Sequence, residues 1–169
     1  KYVLGEVDVF KIDHTHELFA HMNVNYVQLD RVPKYDEGWQ SVLDVLSQGK
    51  FFVTTGEVLI PRFTVGGKDS GDVLKVKTTD PSPQPLASSP ELLADLQWTF
   101  PLAFAEVISG DGKQVFRQRI DLADTNPFGS RTLKLAPDLR GRHWVRLEVW
   151  DIAANGAFTT EGHVPRCRA

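Results

Sequence analysis

Cysteine is almost missing from this chain. Cys167 is the single one among 169 residues. One cysteine closes no intramolecular disulfide and builds no cysteine-rich metal site. No apolar run approaches the roughly 18 residues that a membrane span requires. A charge excess is lacking as well, since 22 acidic and 19 basic residues leave a formal net charge of -3. Such balance argues against nucleic acid or an anionic membrane as the main partner. There is no Gly-x-Ser-x-Gly nucleophile elbow, no phosphate-cradling loop and no Cys-x-x-Cys pair. Lys1 to Phe10 shows no initiator methionine, no basic leader and no apolar signal core. It reads as a strand already under way, so the expectation is a piece of something longer. Nothing marks a compartment.

What is present fits a soluble globular chain with a core of its own: 41% hydrophobic and 24% charged residues. Residues 1 to 12 and Asn23 to Leu29 read as strands. The clearest helix runs from Asp36 to Gln48. Trp39, Val42, Leu43 and Leu46 fall at i, i+3, i+4 and i+7, one face of a 3.6-residue period. Asp36 is the expected cap and Gly49 the left-handed stop.

After the strand Phe51 to Thr55 the punctuation becomes that of a β-protein. Strands are expected at Val58–Val65, Asp72–Thr78, within Leu92–Ser109, at Gln114–Leu122, Arg131–Leu135, Trp144–Ile152 and Ala157–Thr160. Gly110-Asp111-Gly112 reads as a hairpin turn. Residues 80–90, with four prolines, read as a loop. The expected fold is mainly β. It is an antiparallel sandwich, immunoglobulin-like or jelly-roll-like, with one amphipathic helix near residues 36–48. A soft boundary falls near Gly56 to Pro61. It separates residues 1–55, of mixed texture, from a sandwich over 56–169. The expected core holds Trp39, Val42, Leu43, Leu46, Phe51, Val53, Phe63, Val65, Leu74, Val76, Phe104, Val145, Leu147 and Val149.

Three constellations could carry chemistry. His14 and His16 would share one side of a strand, and Glu17 or His21 could add a third metal ligand. A solvated or capping segment is the default for so loose a pattern. Thr54-Thr55-Gly56-Glu57 could hold a ligand, although backbone geometry explains the glycine and strand preference the threonines. Trp144, Arg146, Glu148 and Trp150 share a strand face, where two indoles could form a sugar platform or pack against a neighbour. Arg117 and Arg119 share a face too, and read as cross-strand ion-pair partners rather than an anion site.

A resemblance runs through most of the chain. Gly38-Trp39, Val42-Leu43, Leu46 and then Gly49-Lys50-Phe51-Phe52-Val53-Thr54-Thr55-Gly56-Glu57 resemble the segment after the catalytic barrel in PHP-type metallohydrolases (the polymerase and histidinol phosphatase superfamily), in the CehA/McbA-like branch. Phe63-Thr64-Val65-Gly66-Gly67 with Gly71-Asp72 resembles the next strand pair of that family's small sandwich. Trp98-Thr99-Phe100-Pro101-Leu102, Glu106-Val107-Ile108 and Gly110-Asp111-Gly112 resemble the following hairpin, and Trp144 to Asp151 the closing strand. The family's first metal motif is Asp-x-His-x-His. This chain has Asp13-His14-Thr15-His16, out of step by one, and lacks the late Asp-x-His motif.

No catalytic or metal-binding residue is therefore carried over. The resemblance implies that residues 1–55 end a barrel-type domain and that the remainder is its accessory sandwich. It implies a divalent metal in the parent's catalytic domain and none in this chain. The expected partner is that N-terminal catalytic domain. A homodimer through the open first strand, Tyr2 to Ile12, is the other association expected.

Overall fold

The computed structural model describes residues 2–5, 23–76 and 89–152. The elements are β1 (Val24–Val27), α1 (Gln40–Ser47), β2 (Phe51–Thr54), β3 (Val58–Val65), β4 (Lys68–Asp69), β5 (Leu92–Trp98), β6 (Leu102–Gly110), β7 (Val115–Asp121), β8 (Gly129–Leu135) and β9 (Trp144–Asp151). A three-residue 3-10 turn, Tyr35–Glu37, precedes α1. The protein is mainly β, and every strand pairing is antiparallel.

β3 to β9 form two facing sheets, ordered β4-β3-β5-β8 and β7-β6-β9. Their inner faces make one core. Val58, Ile60, Leu92, Ala94, Leu96, Trp98 and Leu133 come from the first sheet. Leu102, Ala105, Val107 and Val149 come from the second. This is the expected sandwich, held by apolar burial between two pleated faces. β5 alternates buried positions with half-buried ones, or an exposed one at Gln97, as a strand with one face on the core does. The β6–β7 hairpin turns where Gly110-Asp111-Gly112 placed it, with Gly112 at φ 88° and the Asp111 carboxylate accepting from the Lys113 and Gln114 amides. The chain changes sheet at the Thr55–Glu57 turn, because among the described residues β2 pairs only with β1.

The helix is shorter than its periodicity suggests. Gly38 takes φ 73° and interrupts the chain after the 3-10 turn, so α1 starts at Gln40 and Asp36 caps nothing. Its end is as expected. Gly49 stands at φ 76°, its amide donates to Leu46 and the Lys50 amide to Val45. That pair of bonds is a Schellman stop.

Three expectations need correction. Trp39 and Leu43, expected in the core, are 73% and 55% exposed, while Val42 and Leu46 are half-buried. Periodicity marks an apolar face but not what covers it, and among the described residues nothing covers this one. Asp72 to Val76 is not a strand. Leu74 and Val76 still pack on the core, so the alternation is satisfied by burial without a hydrogen-bonded ladder. Tyr2 to Gly5 are not in a strand either. Gly5 is tied instead to the Asn25 side chain, giving its amide to Oδ1 and accepting from Nδ2. The rest of the expected first strand, the 80–90 loop up to residue 88 and the strand at 157–160 lie outside the described residues.

Candidate functional site

The outer face of the β7-β6-β9 sheet gathers six of the side chains that the sequence singled out, Arg117, Arg119, Trp144, Arg146, Glu148 and Trp150. The registers set three rows across the strands. Val115, Gly110 and Trp144 form the first, Arg117, Ile108 and Arg146 the second, and Arg119, Glu106 and Glu148 the third. Phe104 and Trp150 lie opposite each other beyond them. Glu106 and Glu148 are directly opposed, an arrangement that repels. Each is offset by an arginine: Arg117 meets Glu106 at 2.8 Å and Arg146 meets Glu148 at 2.7 Å. Arg117 is thus an ion-pair partner, as expected. Arg119 takes a different role, its guanidinium lying 3.6 Å from the Phe104 ring centroid. Phe104 in turn stacks on Trp150, centroids 5.7 Å apart. These charged and aromatic groups cover Ile108, which has no exposed surface.

The two indoles are engaged separately. Trp144 and Trp150 sit at opposite ends of β9, roughly 20 Å apart for six residues of strand. Trp144 is 41% exposed. One side of its ring lies on Gly110, where a Cβ would come within 2.6 Å of the indole. Arg146 approaches Trp144 at 5.7 Å. No two-ring sugar platform is assembled from this pair.

The Thr54 to Glu57 segment builds a turn. The buried Thr54 hydroxyl donates to the Val58 carbonyl and accepts from the Gly56 amide. Gly56 takes φ 108°, and the Thr55 hydroxyl donates to the Glu57 carboxylate. These bonds account for all four residue types. His14, His16, Glu17 and His21 lie outside the described residues. Among the described residues, no group of three or more His, Cys, Asp or Glu side chains is arranged to hold a metal ion.

Two clefts open on the second sheet. The larger, about 550 Å³, lies beside Arg119 and Asp121 with Pro101, Leu102, Ala103, Ala123 and Ile152 on its walls. The smaller, about 160 Å³, lies between β7 and the connection from β8 to β9. Ser109, Phe116, Gln118, Pro137, Asp138 and Arg142 line it, with Val107 and Arg117. Arg140 beside Asp138 holds that carboxyl down to about 2. Asp111 nearby is lowered by the Gln114 and Lys113 amides. No local sequence motif marks Arg142, because Ser109, Phe116 and Gln118 of its cleft come from β6 and β7, well before it in the chain.

Comparison with known proteins adds no relative. No family model matches the chain, and neither does any curated protein or solved structure.

Proposed function

We propose that the chain is a non-catalytic accessory module, a β-sandwich that supports the catalytic barrel of a PHP-like metal-dependent hydrolase or walls its substrate cleft. The observation that carries this reading is a set of exposed apolar side chains in the β1–α1–β2 unit that nothing covers among the described residues. Trp39, Leu43, Tyr35 and Val32 are exposed there, next to a sandwich whose core is complete without them. These four fall between Val32 and Leu43, in the connection from β1 and the start of α1, and neighbouring exposed apolar side chains mark a surface for another protein surface. Among the described residues β1 and β2 form a two-stranded sheet, and such a sheet is marginal unless something packs on it. A neighbouring domain supplies both needs. The resemblance from Trp39 to Asp151 names a PHP-like barrel as that neighbour, while the exposure of Trp39 and Leu43 departs from the core placement expected with it. The metal belongs to the barrel, not to this chain.

The purified chain, given Mn²⁺, Zn²⁺ or Fe²⁺, is expected to hydrolyse neither phosphoesters nor amides. Metal-dependent turnover that vanishes in a His14→Ala, His16→Ala double variant would overturn the reading. The coding sequence ahead of Lys1 tests the family part. An Asp-x-His-x-His run there supports it, and an open frame without one counts against it.

A further inference from the structure

Trp144 is presented rather than packed. Gly110 stands opposite it on β6, and one side of the indole lies over that glycine, which has no side chain to lift it. The residue keeps 41% of its surface in water. An indole laid on a sheet in this way offers solvent a flat apolar surface. Val115, in the same row and 58% exposed, extends that row.

The next rows are polar, and their charges are balanced. Arg117 meets Glu106 and Arg146 meets Glu148. The two arginine side chains are still 54% and 47% exposed. A guanidinium carries five N–H donors, so donors remain for a ligand once the ion pairs are formed. Arg146 lies 5.7 Å from the Trp144 ring centroid, which puts such donors beside the apolar spot. Closed ion pairs draw neither an anion nor a cation strongly. The spot also differs from the centre of a protein contact, where an aromatic anchor sits among apolar neighbours that exclude water. Trp144 has a glycine, an arginine and a single valine around it.

We propose that this face binds a neutral glycan whose pyranose rings carry equatorial substituents, as in a β-linked glucan. Such a ring turns its C–H bonds to its two flat faces and its hydroxyls to its rim. The C–H face stacks on Trp144. Rim hydroxyls of that sugar and the next accept from Arg146 and Arg117. The platform is one indole, because Trp150 stacks on Phe104 at the far end of the strand. This role is separate from the barrel-supporting one, and neither depends on the other.

The test is a titration of the full chain with cellohexaose, followed on the Trp144 indole N–H signal and by calorimetry. The C6-oxidised form of the same oligosaccharide, a polyanion, is the comparison. The indole signal is expected to shift and saturate with cellohexaose. The affinity should change less than about two-fold between about 50 and about 500 mM sodium chloride, because no net charge is matched. Trp144→Ala should weaken binding at least about ten-fold. Gly110→Ala, whose Cβ would lift the ring from the sheet, should weaken it about three-fold. The wild-type titration and Gly110→Ala decide the matter even where the Trp144 variant loses its fold. No saturation with cellohexaose, full affinity in either variant, or tighter binding of the oxidised chain overturns the proposal. So does an indole signal that moves with protein concentration alone, which would assign the face to a second copy.

Discussion

Phe128 stands at φ 56°, the only non-glycine residue with positive φ among those described, and its ring is 84% exposed. The left-handed region costs a residue with a Cβ roughly 1–2 kcal/mol. Nothing is gained by packing the ring, so the loop imposes the strain. The Phe128 amide donates to Thr99, and the Trp98 indole donates to Asn126. Phe128→Gly is therefore expected to stabilise the protein by about 0.5–1 kcal/mol, the relief less the added chain entropy. A lower midpoint in urea would refute this. Thr125 is the opposite case. Its buried hydroxyl accepts from the Leu102 amide at 2.7 Å and donates to the Leu122 carbonyl at 2.8 Å. Thr125→Val should cost about 1–3 kcal/mol, because it strands a buried amide. Asp138 tests the electrostatics. Arg140 lowers its carboxyl to about 2, so what the pair stabilises is present above the ordinary carboxylate range and lost as pH falls towards 2. Both side chains are about half exposed, which keeps the effect below about 1 kcal/mol. Carboxyl carbon shifts should place the Asp138 midpoint near 2. A midpoint near 4 would contradict the ion pair.

Elements differ in how plainly the sequence announced them. β3 and β9 were legible nearly to the residue, because alternation and glycine punctuation agree with the ladder that forms. The Asp72 to Val76 segment was not. Leu74 and Val76 alternate toward the core, but alternation reports which side is buried, not whether a neighbour offers hydrogen bonds. Leu92, Ala94 and Leu96 of β5 are buried but stand outside the expected core, because Leu93 beside Leu92 blurs the alternation that would single out one face. α1 showed its face but not its cover. Of the candidate site, the Arg117 pairing was readable from strand parity, whereas Arg142 over Phe116 depends on two segments meeting in space. A pair of variants separates face from core. Trp39→Ser with Leu43→Ser should change stability by no more than about 0.5 kcal/mol, because both side chains are already in water. Leu96→Ala should cost about 2–5 kcal/mol, because it opens a cavity between the sheets. Denaturant titrations of both decide it, and a large loss from the double variant would place α1 in the core after all.

At the scale of the molecule, the chain passes at the Thr55–Glu57 turn from the β1–β2 sheet to the sandwich sheets. The sandwich of β3 to β9 buries a shared core between two sheets. The β1–α1–β2 unit buries no α1 residue fully and shows its largest side chains to solvent. The proposed accessory role predicts such a difference, because a surface that leans on another domain is finished only by that partner. Local stability should follow it. Hydrogen exchange of the isolated chain, read strand by strand, is the most direct measurement. The amides of β5, β6 and β9 should exchange together, with the protection of global unfolding. Those of β1, α1 and β2 should exchange at least about a hundred-fold faster, a gap of about 2.7 kcal/mol. Equal protection across both parts would show that the N-terminal unit needs no partner, and would contradict the account.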